Sequence, residues 1–155
     1  SVYLRSEYLK FTTIISLIFI IDIYTKNLAL ENLLLNSPLE INNFFNLTLV
    51  FNHGAAFSIL SEAGGWQKWL FIIMSIIIVS ILVILLKIDN DENKIALSLI
   101  IGGALGNLFD RITYGYVIDF LEFHYQNFYW PIFNFADITI SIGIIMLIYS
   151  LFCKK

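Results

Sequence analysis

The chain has 155 residues, of which 59% are hydrophobic and 14% are charged, and its mean hydropathy is +0.81. This balance excludes an ordinary soluble domain. A single cysteine, Cys153, excludes an internal disulfide and a cysteine-based metal cluster, and the absence of a basic stripe or a phosphate-binding loop argues against a nucleic-acid partner. The composition therefore predicts an integral membrane protein.

The first apolar block predicts a helix near residues 11–30. Because the block follows a basic start, it could also be a secretory signal peptide. A signal peptide would be followed by a cleavage site of small residues, but here the chain continues with the bulky, charged stretch DIYTKNLALENLL. We therefore expect this first helix to stay attached.

The segment after the first helix, residues 31–66, predicts a strand and a short surface helix. Apolar residues occupy alternate positions between Leu47 and Asn52, which is the period of a strand on an apolar surface. In the run HGAAFSIL that follows, Gly54 allows a tight backbone, and the next residues suit an amphipathic helix lying on the membrane. Ser58 in this run is a conceivable nucleophile, although no base accompanies it locally.

Three further apolar blocks predict helices near residues 67–86, 95–112 and 136–153. Each block is close to the roughly 20 residues that cross about 30 Å of hydrocarbon. The segment before the last helix, 113–135, is rich in aromatic residues of the kind that lie at membrane interfaces. We predict an all-α membrane protein with four transmembrane helices, a small extracytoplasmic β-sheet and a short amphipathic surface helix, all in one domain over residues 1–155.

The basic residues predict the orientation. An even number of crossings places the N-terminal segment, the loop between the second and third helices, and the C-terminal end on one side. Positively charged loops favour the cytoplasm, so we predict both termini there and the two longer segments outside. Six of the nine basic residues lie in these inner places: Arg5, Lys10, Lys87, Lys94, Lys154 and Lys155.

Polar and ionisable residues lie near the outer ends of the predicted helices. Because such residues are costly within the membrane, their common depth predicts a functional site that faces the outer leaflet. Each residue also has an interpretation without function. Asp22 and Lys26, which are four residues apart, would form an isolated ion pair, and Arg111 would only extend its charged group toward the lipid headgroups. Asn134 would be an N-cap of the last helix, a role compatible with a functional one. The residues at this level are Asp22, Lys26, Asn52, Asn107, Asp110, Arg111, Asp119, Asn134 and Asp137.

Asp119 and Asp137 bracket 17 residues whose two ends return to the same depth. Two carboxylates brought close share a proton, and such a pair can activate water against a peptide bond. Asp137 falls in the first turn of the last helix, where the helix dipole favours its ionised form. The same acids could instead relay protons in a small transport or channel subunit, or belong to a protein that only binds partners.

Metal chemistry finds little support, because His53 and His124 stand alone in the sequence without metal-ligand spacing.

Four stretches resemble a known family, the lipoprotein signal peptidases or type II signal peptidases, which are membrane aspartyl proteases. They are DIYTK at 22–26, NHGAAFS at 52–58, GGALGNLFDR with GYVIDF across 102–120, and FNFAD at 133–137. They follow the family's order over nearly the whole chain. One departure is visible, since the family commonly has Gln after the first Asp, where this chain has Ile23.

The resemblance implies an activity and a site. Such enzymes remove the signal peptide from diacylglyceryl-modified prolipoproteins, cutting just before the lipid-bearing cysteine, with Asp119 and Asp137 as the catalytic pair. It also implies no metal or cofactor, a bacterial inner-membrane location, lipid chains held between helices, and inhibition by the cyclic peptide globomycin; we expect a monomer. The implied lining residues are Asn52, Gly54, Asn107, Arg111, Asn134 and Ala136, and the implied supporting residues are Asp22, Lys26 and Gly103.

Overall fold

The computed structural model describes residues 2–54, 64–88 and 91–153. Within these ranges the chain forms four helices, α1 (Val2–Asn32), α2 (Trp66–Ile88), α3 (Asp91–Thr113) and α4 (Phe135–Cys153). Each contains a stretch long and apolar enough to cross a membrane. The predicted fold class of membrane-spanning helices with a small sheet is confirmed, while the surface helix predicted after Gly54 in the run HGAAFSIL lies outside the described ranges.

The helices are slightly longer than the apolar blocks that predicted them. α1 differs most, because it begins at Val2, nine residues before the predicted start at 11. The polar residues that precede the apolar block include no proline or glycine, so the helix continues past the apolar stretch. α3 ends at Thr113 and is closed by Gly115, whose φ of 86° suits the left-handed position after a helix.

α3 is the centre of the bundle and packs against α1, α2 and α4. Glycines make these approaches close: a Cβ on Gly102 would lie 2.8 Å from the Ile18 Cβ on α1, and a Cβ on Gly103 would lie 2.6 Å from the Ala136 carbonyl oxygen on α4. Small residues at such contacts let membrane helices pack backbone to backbone. At the end where α2 ends and α3 begins, the bundle is held by an apolar cluster formed by Phe11, Leu86, Leu97 and Ile101.

The strands form an antiparallel sheet in the order β1 (Leu39–Asn42), β2 (Phe45–Asn52), β3 (Val117–Tyr125) and β4 (Phe128–Tyr129). The strand predicted between Leu47 and Asn52 is therefore present, but its alternation is interrupted. The register with β3 slips between Leu47 and Val50. Polar side chains are buried on this strand, where Asn46 Nδ2 and Thr48 Oγ1 donate to Glu122 Oε2 at 3.0 and 2.7 Å.

The sheet sits against the C-terminal end of α1. Leu49 on β2 and Ile118 and Phe120 on β3 form a buried cluster with Ala29 of α1. Pairing of β2 with β3 sets Val50 opposite Asp119 and brings the end of β2 alongside the start of β3. The sheet thereby carries Asp119 to the same end of the bundle at which α4 begins.

Candidate active site

Asp119 and Asp137 lie together at the end of the bundle nearest the sheet. Asn134 contacts both: its Nδ2 donates to Asp119 Oδ1 at 2.8 Å, and its backbone N–H donates to Asp137 Oδ2 at 3.1 Å. The chain between the two aspartates is pinned by Phe133, whose N–H donates to Leu121 O at 3.0 Å. Separate elements thus deliver two carboxylates to one place.

Asn134 is also the N-cap of α4. Its Oδ1 accepts from the backbone N–H of Asp137 at 3.0 Å, while the Asp137 carboxylate accepts from the N–H of Asn134. This reciprocal pair is a capping box, and the predicted capping role is confirmed. The cap fixes the direction in which the Asp137 side chain leaves the helix.

Two further amides complete the surroundings of the aspartates. Asn52 Nδ2 donates to Asp119 Oδ2 at 3.0 Å, and Asn107 Nδ2 donates to Asp137 Oδ1 at 3.0 Å. Each carboxylate therefore accepts two hydrogen bonds from the protein. Such bonds favour the ionised form of a carboxyl group and oppose the effect of burial.

Burial dominates at Asp119, which is 3% exposed. Burial first, and then the charge of Asp137, raise the pKa of Asp119 from its ordinary value of 3.8 to about 7. The hydrogen bonds from Asn52 and Asn134 and the charge of Lys26 pull this pKa down without reversing the shift. Asp119 therefore carries a proton in slightly acidic solution and loses it as the pH rises through neutrality.

A buried ion network lies behind the pair. Lys26 Nζ contacts Asp22 Oδ2 at 2.6 Å, Asp110 Oδ2 at 2.8 Å and Asn107 Oδ1 at 3.0 Å. Asp22 Oδ1 also accepts from the N–H of Ala136 at 2.9 Å. The ion pair between Asp22 and Lys26 exists as predicted, but it is part of a network joining α1, α3 and α4 rather than an isolated pair.

The aspartates lie on the wall of a cavity of about 910 Å³. Arg111 is half-buried at this wall, and its guanidinium carbon lies 5.8 Å from the centre of the Phe71 ring. The cavity has a polar end and a long apolar side. The polar end includes Asn52, Gly54, Asn107 and Arg111, and the apolar side includes Phe123, Phe128, Trp130, Ile138, Ile142 and Ile145.

The other predicted residues lie either on the cavity wall or beneath it. Asn52, Gly54, Asn107 and Arg111 line the cavity, as the resemblance implied. Asn134 and Ala136, implied to line it as well, have no exposed surface and lie beneath the aspartates.

The supporting residues lie deeper still. Asp22 and Lys26 belong to the ion network, and Gly103 lies at the close contact between α3 and α4.

Sequence reasoning placed Asp110 at the level of the site without giving it a role, and it missed Gly106. Asp110 accepts from Lys26 and from the N–H of Ile118 at 3.1 Å, so it ties α3 to the residue before Asp119. A Cβ on Gly106 would clash with the Asp22 carboxylate. The four-residue spacing of Gly102 and Gly106 was the available signal for a close helix contact.

Fold and site together define a polytopic membrane protein with two neighbouring carboxylates, of which Asp119 is buried and Asp137 half-buried, beside a largely apolar cavity. The model of the family described as signal peptidase (SPase) II matches residues 14–153. The chain belongs to this family, and it is a peptidase. The transport and partner-binding alternatives therefore lose their support.

Relatives and solved structures agree over most of the chain. The lipoprotein signal peptidase of Pseudoalteromonas atlantica is 44% identical, covering 97% of this chain and 94% of the relative. That of Francisella tularensis subsp. mediasiatica is 47% identical, covering 95% and 94%. A solved structure titled as a bacterial membrane enzyme studied by the in meso method at 1.9 Å resolution is similar with a TM-score of 0.82 and 33% identity, covering 94% of each chain.

Proposed function

We propose that this protein is an aspartyl endopeptidase that cuts diacylglyceryl-modified prolipoproteins just before their lipidated cysteine. The observation that carries the proposal is the pairing of Asp119 and Asp137 through Asn134, beside a cavity that is polar at the aspartates and apolar beyond them. Two carboxylates that cannot both ionise easily are suited to general acid–base attack by water on an amide.

In the proposed reaction, ionised Asp137 accepts a proton from a water molecule as the water oxygen bonds to the scissile carbonyl carbon. Protonated Asp119 donates its proton to the carbonyl oxygen. When the tetrahedral intermediate collapses, the C–N bond breaks, the amine of the lipidated cysteine leaves with the proton held by Asp137, and one hydroxyl of the intermediate returns its proton to Asp119 as the new carboxyl group forms. The raised pKa of Asp119 supports the assignment of Asp119 as the acid of the resting pair.

The apolar side of the cavity suits the lipid of the substrate. From Asp137 to Ile145 the cavity follows α4 for about 12 Å, at a rise of roughly 1.5 Å per residue. An acyl chain in this groove would hold the adjoining peptide bond at the aspartates. The sheet aromatics Phe123 and Phe128 would flank the peptide. We expect a globomycin-type cyclic peptide to compete for the same cavity.

A cleavage assay tests the proposal. Purified protein in detergent receives a prolipoprotein in its diacylglyceryl-modified and unmodified forms, with the Asp119→Asn variant as the inactive control. We expect release of the signal peptide from the modified form alone, with the lipidated cysteine as the new N-terminus. A cut elsewhere in the substrate, equal cutting of both forms, or cutting by the variant would reject the proposed specificity or mechanism.

The proposed orientation places the aspartates at the outer leaflet of the bacterial inner membrane and both termini in the cytoplasm. Cysteines introduced at Asn43 and Gln126, in a Cys153→Ser background, should react in intact spheroplasts with a reagent that cannot cross the membrane. Both positions are exposed on the sheet side, and the exposed Lys87 near the end of α2 is the matched inner position. Labelling at Lys87→Cys instead would invert the topology.

A further inference from the structure

Side-chain amides surround the two aspartates, and each turns its NH2 group toward a carboxylate. Asn52 and Asn134 donate to Asp119, and Asn107 donates to Asp137. An amide can present either its oxygen or its nitrogen, so its orientation depends on what occupies the other end. With an oxygen turned inward, the same amide would repel a carboxylate instead of stabilising it.

Backbone donors set two of these orientations. The Asn52 oxygen accepts from the N–H of Gly54 at 3.1 Å, and the Asn134 oxygen accepts from the N–H of Asp137 at 3.0 Å. Backbone N–H groups only donate, so the amide oxygen must face them. These two amides are oriented by the local path of the chain.

Side chains set the third orientation. The Asn107 oxygen accepts from Lys26 Nζ at 3.0 Å and from Asn134 Nδ2 at 3.0 Å. An ammonium group has donors and no acceptor, so Lys26 admits only the oxygen end of Asn107. Asn107 Nδ2 is then left facing Asp137.

Lys26 is itself held firmly. It is 1% exposed, and its three protons meet three acceptors, on Asp22, Asp110 and Asn107. Asp22 and Asp110 supply two carboxylates, one more than Lys26 needs for a simple ion pair, and each accepts one of its protons. The third proton is therefore available for the neutral amide of Asn107 without leaving either carboxylate unpaired.

We propose that Lys26 is a positioning residue for the aspartate pair: by holding the Asn107 oxygen it directs the Asn107 NH2 toward Asp137 and keeps that carboxylate ready to act as the base. This inference rests on the proposed function and assigns Lys26 a specific task within it. The charged groups around the hydrogen bond between Lys26 and Asn107 are Asp22 on α1, Asp110 and Arg111 on α3, Asp119 on β3 and Asp137 on α4.

The test compares Lys26→Met with Asp110→Asn, measuring kcat, KM, the pH dependence of kcat/KM and the thermal unfolding midpoint. Lys26→Met retains the length of the side chain but has no proton to donate. We expect kcat to fall by up to roughly 100-fold, the loss that a misplacement of about 1 Å can cause at a catalytic group. KM should stay within about 2-fold, because Lys26 lies behind the cavity wall and the binding surface is untouched.

The pH profile separates positioning from loosening of the fold. The charge of Lys26 lowers the pKa of Asp119, so Lys26→Met should move the alkaline limb of kcat/KM to higher pH. Asp110→Asn removes a neighbouring negative charge but keeps the Lys26 ammonium group and the Asn107 amide in the chain. It should lower the unfolding midpoint while leaving the limb unmoved or shifting it to lower pH.

If both variants move the limb in the same direction, or if kcat losses follow the unfolding midpoints in both, Lys26 has no positioning role. Should Lys26→Met not fold, the double variant with Asp22→Asn removes a carboxylate left unpaired, and Asp22→Asn alone is its control. Equal kcat in these two would likewise overturn the inference. Wild-type protein that cleaves no lipidated substrate would refute the proposed function instead.

Discussion

The two ends of the helix bundle are built by different means. At the end away from the sheet, α1, α2 and α3 meet through Phe11, Leu86, Leu97 and Ile101, which contact one another without hydrogen bonds between their side chains. At the end beside the sheet, the same α1 and α3, now with α4, meet through Asp22, Lys26, Asn107, Asp110 and Asn134. Apolar packing is non-directional, whereas each contact of the end beside the sheet requires a donor facing an acceptor.

The apolar end holds the helices together, whereas the hydrogen-bonded end also holds the chemical groups of the site in place. A shift of a few tenths of an ångström at the end away from the sheet changes packing, and neighbouring side chains can adapt. The same shift at the end beside the sheet lengthens several hydrogen bonds at once and changes the surroundings of the aspartates. Changes at the two ends should therefore separate activity from stability.

The largest effect is expected at the aspartates themselves. Asp119→Asn and Asp137→Asn should each lower turnover by about three orders of magnitude or more, because neither amide can take or carry the shared proton. Members of a cooperating set are not additive, so the double variant should be scarcely worse than either single variant. Single-turnover cleavage of lipidated substrate measures the loss.

Two controls accompany these variants. Lipidated substrate should still bind each of them, since its affinity depends on the apolar side of the cavity and on the contacts of the peptide. Asp22→Asn should reduce rate or stability only in part. Losses that simply multiply in the double variant would contradict a shared proton.

Gly106→Ala should come next in size, because the new methyl group would displace the Asp22 carboxylate that holds Lys26 and Ala136. We expect at least a 10-fold loss of kcat, on the scale of a misplaced acid–base site. Gly102→Ala is the matched control one turn further from the sheet, where the methyl group meets Ile18.

Gly102→Ala should cost roughly 1–3 kcal/mol of stability, the range of an overpacked contact. Its folded fraction should nevertheless cleave at close to the wild-type rate. Equal activity losses for the two alanines would erase the distinction between the two ends of the bundle.

A smaller effect concerns the stability of Asp119→Asn. The folded pKa of about 7 exceeds the ordinary 3.8, so the unfolded chain releases this proton first, and the stability that Asp119 contributes below pH 3.8 is lost as the pH rises through 7. Asparagine does not ionise. The stability of the variant relative to wild type should therefore improve between pH 5 and pH 8, by at most about 2–3 kcal/mol.

Thermal unfolding in detergent at the two pH values measures this difference. The exposed Glu40 on β1 offers a matched carboxyl-to-amide change, Glu40→Gln, for which we expect no comparable pH-dependent gain. A gain of equal size in Glu40→Gln would assign the effect to net charge rather than to burial of Asp119.

The smallest expected effect is none at all: EDTA should leave cleavage unchanged. The proposed chemistry needs two carboxylates and water, and each aspartate already accepts two hydrogen bonds from the protein. Within the described residues, no three His, Cys, Asp or Glu side chains group as metal ligands. Activity lost to EDTA and restored by zinc would show that the acidic residues serve another purpose.

Much of the architecture was predictable, because each membrane-spanning helix corresponds to one long apolar block in the sequence. The positions of all four helices followed from these blocks, while the extension of α1 to Val2 did not, since its first nine residues mix apolar with charged side chains and form no apolar block. The sheet was harder. Its register slip between Leu47 and Val50 and its buried Glu122 depend on pairing with a strand about 70 residues away.

By itself, the sequence determined that this chain crosses a membrane, that its polar residues share one level, and that Asp119 and Asp137 are candidates for one site. The apolar blocks and the helical rise are local properties, so they can be read along the chain. Only the tertiary structure decided that Lys26 reaches Asn107, that Asp110 ties α3 to β3, and that Asn134 lies under both aspartates. Those contacts join residues far apart in sequence, and hydrogen bonds depend on distances and directions that only the packed helices and sheet supply.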